Sequence, residues 1–262
     1  MTAPADDLRV TLHDIITTAA RNTPRSLQKQ IGPSEVGLEC PRRLAYRWLD
    51  WPTANPGGDP WPAIVGTATH AWLAAALEQH NQVLGRTRWL IEQRVTVRGD
   101  LSGSCDAYDL DTDTVLDHKV VGETAMRHYR RAVRHQYRVQ AHLYGLGWEN
   151  AGYTPRRVAL VFYPRGGLLS GLYVWAEPYN RQIAQDALDR LDAIRELANR
   201  LRVDEDPDAW QHIPANPGPD CRWCPWMRPG SRDLSQGCPG MSTTTTRTHG
   251  FEDLINRPHK PR

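Results

Sequence analysis

The sequence predicts an α/β fold in which helices flank a central mixed β-sheet. The chain has 262 residues, of which 40% are hydrophobic, and this is enough for one large domain with a well-packed core. The predicted elements follow the order helix, strands, helix, strands, helix, which is typical of this class. Turn residues such as "DTD" (111–113) separate the strands, and the sequence shows no internal repeat.

Hydrophobic periodicity and turn residues place the individual elements. Helices are predicted over 8–21, 63–80 and 181–201, with one or two more within 123–151. Strands are predicted over 89–97, 101–110, 114–120, 156–165 and 169–178. Ser34 is predicted to cap helical turns that reach Trp48, whereas the stretches 51–62 and 212–240 are predicted to be irregular.

Composition argues against several classes of protein. The formal net charge is only +2, and the chain contains no run of eighteen apolar residues that could span a membrane. The first residues, "MTAPADDLRV", do not resemble a signal peptide. We therefore expect a cytoplasmic protein, in which five cysteines, an odd number, are not a disulfide framework.

The stretch "TVLDHKV" (114–120) places three ionisable groups inside a predicted strand. If the preceding turn is centred between positions 111 and 112, Asp106 lies opposite Asp117, with Cβ atoms about 5 Å apart. Asp117 and Lys119 then share one face of the strand, and His118 points away. A hard cation such as Mg²⁺ or Mn²⁺ would relieve the repulsion between the two carboxylates. The alternative is a solvated hairpin face with a surface salt bridge.

"GSCDAYDL" followed by "VLDHK" resembles the core of the PD-(D/E)XK nucleases, in particular their RecB-like branch. Gly103 and Asp106 match the G-x-x-D strand of that branch, and Asp117 with Lys119 match its D-x-K strand. The resemblance implies a restriction-endonuclease-like core, in which Lys119 orients the attacking water or stabilises developing charge.

Two helical motifs extend the resemblance. His70, in "GTATH", matches a histidine that binds metal in RecB-like nucleases. Gln140 and Tyr144, in "QAHLY", match a Q-x-x-x-Y motif that lies near the site and the DNA. The implied metal ligands are His70, Asp106, Asp117 and the backbone carbonyl of His118. Glu92 is a weaker candidate for a supporting role or a second metal. The alternatives are a core histidine and an ordinary polar–aromatic helix pair.

A third motif, "PSEVGLECPRRLAYRW", resembles the N-terminal region of the CRISPR-associated RecB-like exonucleases and of AddB-type nuclease domains. The matching positions are Ser34, Cys40, Pro41, Arg42 and Tyr46. The resemblance implies that the motif's cysteine is a ligand of a [4Fe–4S] cluster, and structural Zn²⁺ is the alternative. The implied ligands are Cys40, Cys221, Cys224 and Cys238.

Such a cluster would hold the N-terminal segment 31–50 against the C-terminal segment 212–240 as a clasp. Thirteen residues separate Cys224 from Cys238, which is longer than the spacing usual in the family. The fifth cysteine, Cys105, is predicted to be a small buried residue outside the clasp.

The resemblance implies a divalent-metal-dependent exonuclease acting on single-stranded DNA ends in recombination, repair or CRISPR-like processing, with helicase- or integrase-type partners. The nuclease domain is predicted over 31–240, between an N-terminal extension (1–30) and a flexible tail (241–262).

Tyr129 and Tyr137 are candidates to stack on bases. The weaker candidates for phosphate contact are Arg127, Arg130, Arg131, Arg134 and Arg138. The alternatives are a non-catalytic DNA-binding or adaptor subunit with a structural cluster, and a double-strand endonuclease on the same core.

Overall fold

The computed structural model describes residues 4–22, 30–55 and 57–241, so most of the predicted tail lies outside the described residues. Its helices are α1 (Pro4–Arg21), α2 (Pro33–Val36), α3 (Pro41–Trp48), α4 (Trp61–Leu84), α5 (Glu123–Tyr129), α6 (His135–Asn150) and α7 (Arg181–Leu201). Its strands are β1 (Trp89–Arg98), β2 (Leu101–Asp109), β3 (Thr114–Val121), β4 (Arg157–Pro164) and β5 (Tyr173–Pro178). Three short 3₁₀ helices span Leu169–Gly171, Pro207–His212 and Pro219–Trp223.

The strands form one mixed sheet of five strands in the order β1-β2-β3-β4-β5. Neighbouring strands are antiparallel except β3 and β4, which are parallel. The parallel pair needs a crossover, and α5 with α6 supply it. The predicted mixed sheet flanked by helices is therefore confirmed. Among the described residues, no helix is both long and apolar enough to cross a bilayer.

The hairpin β2–β3 has the predicted register. Ala107 pairs with Leu116 and Tyr108 with Val115, as a turn centred between positions 111 and 112 requires. The paired residues end at Ala107 and Leu116, whereas β3 stays paired with β4 along its whole length. The two strands of the hairpin therefore stop pairing at Asp106 and Asp117, where the ionisable residues begin.

The prediction for the first helical stretch was wrong in two details. Ser34 is not the cap, because α2 begins at Pro33 with Gly32 in the N-cap position. Proline suits the first helical turn since its missing N–H has no partner there, and Pro41 starts α3 in the same way. The chain also leaves the helix at Gly37, where a Cβ atom would lie 2.8 Å from the backbone of Gln136 on α6.

Several other boundaries differ from the predictions, among them the starts of α4 and β5. Helix α4 begins within the predicted loop, where Asp59 accepts a hydrogen bond from the N–H of Trp61 at 2.8 Å. Strand β5 begins only at Tyr173, because a 3₁₀ turn occupies the start of the predicted strand.

Two apolar clusters hold the molecule together. One packs the sheet against α6 through residues such as Tyr108, Leu160 and Trp148. The other joins α2, α3, α6 and α7 to the C-terminal segment, where the Tyr46 and Trp210 rings stack at 4.2 Å between centroids. Helix α4 covers the opposite face of β1, β2 and β3. The ionisable residues of β2 and β3 thus lie in a sheet that α6 covers on one face and α4 on the other.

Candidate active site

Strand β3 sends alternate side chains to opposite faces of the sheet. On the face that packs against α6, three polar residues contact one another: Asp117, Lys119 and Gln140. Gln140 Nε2 donates to Asp117 Oδ1 at 2.8 Å, and Lys119 Nζ donates to Gln140 Oε1 at 2.9 Å. Lys119 Nζ also lies 2.6 Å from Asp117 Oδ2. One glutamine amide therefore fixes both ionised groups of the D-x-K strand.

Asp117 is almost completely buried, and its Oδ2 is paired with the Lys119 ammonium. Burial raises the pKa of Asp117 above its usual range, although the nearby ammonium of Lys119 opposes the shift. A carboxylate that is buried this deeply is uncommon in a protein, and its hard oxygen atoms suit a divalent cation.

Asp106, on β2, bonds to both α4 and the backbone of β3. Its Oδ1 lies 3.1 Å from Nδ1 of His70 on α4, and its Oδ2 accepts the backbone N–H of His118 at 2.5 Å. Burial by itself would raise the pKa of Asp106, but the hydrogen bond with His70 brings that pKa below its usual range. The same hydrogen bond raises the pKa of His70.

Glu92, on β1, reaches the same place through an unusual backbone. Its φ angle is +49°, a left-handed conformation that a glutamate seldom adopts within a strand. Ligand atoms of His70, Glu92 and Asp106 all lie within 4.8 Å of one another, and these three residues form a possible metal-binding group in the described part of the chain. Backbone strain of this kind clusters at functional sites. The structure thus places Glu92 beside His70 and Asp106, while Asp117 turns toward Lys119.

His118 is more than the spacer that the sequence predicted. Its side chain does point away from Asp117 and Lys119, but its ring packs edge-on against the His70 ring at 5.9 Å between centroids. The hydroxyl of Tyr163 lies 3.4 Å from His118 Nδ1. Burial lowers the pKa of His118 to about 4, so the ring is neutral. Nothing in the local sequence pointed to Tyr163, because its contact depends on the pairing of β3 with β4.

Gly103, the glycine of the G-x-x-D match, lies where two other elements meet. A Cβ atom there would stand 2.8 Å from Pro33 and 3.4 Å from the Tyr144 ring. Tyr144 itself is buried one helical turn after Gln140. The absent side chain therefore allows α2 and α6 to pack closely on β2 beside the site.

A basic and aromatic surface extends from Lys119 along α5 and the start of α6. Lys119 Nζ lies 4.7 Å from the centre of the Tyr137 ring, which in turn lies 5.7 Å from the Tyr129 ring. Tyr137 is partly exposed, but Tyr129 is buried with 4% of its surface accessible, so the prediction that its ring stacks on bases was wrong. Arg127 and Arg131 are exposed. The other three predicted phosphate contacts already have protein partners, because Arg130 bonds the Gly171 carbonyl, Arg134 pairs with Asp220, and Arg138 pairs with Glu177. Arg138 is the least suited of the three to bind DNA, because its partner Glu177 also accepts a hydrogen bond from the buried His142.

The four predicted cluster cysteines line one cavity of about 400 Å³. Among the described cysteines, no three sulfur atoms lie within 4.8 Å of one another. Tetrahedral Zn²⁺ needs sulfurs about 3.8 Å apart, whereas an iron–sulfur cubane holds its ligands more widely. Backbone N–H groups of Asn216 and Gly218 donate to the sulfurs of Cys40 and Cys221, at 3.5 and 3.3 Å.

The clasp region is also joined by hydrogen bonds that need no metal. The Arg42 guanidinium donates to the Ile213 carbonyl at 2.7 Å, and the Trp51 indole donates to the Ser235 carbonyl at 2.7 Å. The Tyr46 hydroxyl donates to the carbonyl of Leu234. Cys105 lies elsewhere, fully buried against the sheet, as predicted.

Comparison with known proteins gives distant structural similarity only. No family model and no curated protein matches the sequence. A phage-related exonuclease from Haemophilus somnus 129PT is 12% identical, with a TM-score of 0.37 over 50% of this chain and 69% of that one. An alkaline exonuclease from Laribacter hongkongensis, also solved with dAMP, is 10% identical, with a TM-score of 0.39 over 64% of this chain and 87% of that one.

Proposed function

We propose that this protein is a divalent-metal-dependent deoxyribonuclease of the PD-(D/E)XK type that degrades single-stranded DNA from its ends. One observation carries the proposal. The oxygen and nitrogen ligands of His70, Glu92 and Asp106 gather beside a buried aspartate–lysine pair that a glutamine holds in place. An Mg²⁺ or Mn²⁺ ion bound there supplies an acidified water and neutralises charge on the phosphate.

The chain's own groups have distinct roles in this proposal. His70, Asp106 and Asp117 would bind the ion, with the backbone carbonyl of His118 as a further ligand, and Glu92 would extend the site on its exposed side. Lys119, held by Gln140, stabilises negative charge as it develops on the phosphate or orients the attacking water. Tyr144 packs beneath this arrangement. The neutral ring of His118 keeps that of His70 in position.

Single-stranded DNA is the substrate that the surface beside Lys119 fits best. Tyr137 supplies a partly exposed aromatic face, and arginines supply positive charge, a combination that binds unpaired bases together with their phosphates. By resemblance, the reaction belongs to recombination, repair or CRISPR-like processing in the cytoplasm, with helicase- or integrase-type proteins as partners.

We also propose that Cys40, Cys221, Cys224 and Cys238 hold a [4Fe–4S] cluster that clasps the two ends of a nuclease domain over 31–240. The resemblance of the Cys40 motif to that of the CRISPR-associated exonucleases favours the cluster over Zn²⁺. The Arg42 guanidinium lies 3.8 Å from the Cys238 sulfur, and its positive charge would stabilise either group, since both are anionic when bound by four thiolates. The cluster lies outside the catalytic residues and has a structural role.

The test is cleavage of linear and circular single strands and of linear duplex, with Mg²⁺ or Mn²⁺, by the wild-type protein and by Asp117→Ala. We expect the wild type to shorten linear single strands from an end, and the variant to lose this activity. Asp186→Ala, on the exposed side of α7, is the matched control. Cleavage that survives Asp117→Ala would refute the nuclease site, and cutting of circles would indicate an endonuclease. Binding of DNA without cleavage by the wild type would indicate the adaptor.

A further inference from the structure

Trp223 is one of the most exposed large apolar side chains in the described part of the chain, with 65% of its surface accessible. Tryptophan is normally well buried because its ring carries a large apolar surface. Here it ends the 3₁₀ helix Pro219–Trp223, in the middle of the cysteine segment. The Arg222 guanidinium lies 5.0 Å from the centre of its ring.

Hydrogen bonds from Asn55 hold the backbone on both sides of Trp223. The side-chain amide of Asn55 donates to the carbonyl groups of Arg222 and Cys224, at 3.3 and 3.0 Å. An exposed ring on a fixed backbone loses little conformational freedom when a flat partner binds it.

The 3₁₀ helix that carries Trp223 is joined to the start of α6, near Lys119. Arg134 makes two contacts with Asp220, at 3.1 and 3.2 Å, and so joins the start of α6 to this 3₁₀ helix. The Arg134 guanidinium also lies 6.0 Å from the Tyr129 ring. Tyr129 is buried, and the partly exposed Tyr137 beside it leads to Lys119. Aromatic rings and positive charges thus lie along this surface at Tyr137, Arg134 and Trp223, although Arg134 pairs with Asp220.

We propose that Trp223 is a nucleobase-stacking position and that single-stranded DNA runs from Lys119 past Arg134 to this ring. The proposal rests on the proposed nuclease function and adds a second point of contact with the substrate. Unpaired DNA is the occupant because it combines flat apolar bases with a negative backbone, which complements a tryptophan flanked by arginines. A protein partner on the same ring is an outcome that the test would reveal.

The test is the affinity of the full-length protein for a fluorescent oligothymidylate of about 20 nucleotides, with divalent cations withheld so that no cleavage occurs. We expect Trp223→Ala to raise the Kd about tenfold, within the range of roughly 5- to 150-fold that a lost stack produces. Trp223→Phe should recover most of the affinity. Trp72→Ala is the matched control, because Trp72 is 67% exposed and lies two residues after His70, on the far side of α4.

A strand of the same length that lacks its bases separates stacking from other effects. On this abasic strand, Trp223→Ala and the wild type should bind equally, since there is no base to stack. Unchanged oligothymidylate binding by Trp223→Ala would overturn the proposal, as would a loss that persists on the abasic strand. Failure of the nuclease proposal gives a different result, in which the wild type does not cleave while Trp223→Ala still loses affinity.

Discussion

Nδ1 of His70 lies 3.1 Å from Oδ1 of Asp106, and this contact joins α4 to β2 where the hairpin β2–β3 opens. Asp106 bonds at the same time to the backbone of β3 through His118. The carboxylate is therefore held from two sides in a defined orientation. A site that is held in place before its cation binds loses less entropy on binding.

Gln140 should be a positioning residue for catalysis. Gln140→Ala removes the amide that holds both Asp117 and Lys119, and the loss of such buried hydrogen bonds typically costs ~1–3 kcal/mol. We expect kcat to fall on the order of tenfold, with a smaller change in KM. Gln140→Glu should be worse, since it places a negative charge beside Asp117. Steady-state kinetics on a linear single strand measure both values.

The matched control for Gln140 is Gln182→Ala on the exposed face of α7. The Gln182 amide bonds only a neighbouring carboxylate, that of Asp186. Wild-type kcat in Gln140→Ala would contradict the positioning role.

Glu92→Gly should separate stability from metal binding. Glycine adopts positive φ without the cost of about 1 kcal/mol that a glutamate bears there. We expect the melting temperature to be unchanged or higher, while the affinity for Mn²⁺ falls about tenfold through loss of the carboxylate. Calorimetric titration of Mn²⁺ into the free protein measures the affinity.

Arg202→Gly is the control for Glu92, because Arg202 has a φ of +51° at the end of α7. It should change stability in the same direction and leave Mn²⁺ binding unaltered. If Glu92→Gly binds Mn²⁺ as the wild type does, Glu92 is not a ligand.

His142 should make the protein less stable in mild acid. Its Nδ1 accepts the N–H of Asn180 at 3.2 Å, so its proton is on Nε2, which donates to Glu177 at 2.6 Å. Burial lowers the pKa of His142 below its usual value of about 6.5. A lowered pKa favours the neutral form, and its contribution to stability is complete above about pH 6.5 and declines as the pH falls.

His142→Gln removes this titration and can still donate a hydrogen bond to Glu177. We expect the free energy of unfolding of the wild type to fall more steeply than that of the variant between about pH 6.5 and 5, by up to about 1.4 kcal/mol per pH unit. Urea unfolding at several pH values measures this difference, with His128→Gln on the exposed face of α5 as the control. Parallel curves for wild type and His142→Gln would show that His142 does not titrate in this range.

Replacement of one clasp cysteine should remove the cluster and leave the cysteine segment folded. In Cys221→Ala, we expect the absorption near ~400 nm and the bound iron to disappear. The segment should stay attached through the hydrogen bonds of Arg42, Tyr46 and Trp51, so the main effect is a lower melting temperature. Cys105→Ala is the control and should keep its iron. Anaerobic purification with iron, sulfide and zinc analysis is the measurement, and one zinc without iron in the wild type would refute the cluster.

Local interactions explain what the sequence determined by itself. Turn residues and the two-residue period of strands predicted the register that places Ala107 opposite Leu116. The amphipathic pattern of 181–201 predicted α7 with its observed bounds. The spacing of Gln140 and Tyr144 placed them on one face of a helix for the same reason.

Tertiary structure decided which of these residues meet. Glu92 reaches His70 and Asp106 only through a left-handed backbone angle that its neighbours in the chain do not dictate. Tyr163 reaches His118 because β3 pairs with β4, and Trp223 approaches the basic surface because Arg134 bonds to Asp220. Each of these contacts joins elements far apart in the sequence. The packing of helices on a shared sheet selects such contacts, and hydrophobic periodicity alone does not encode them.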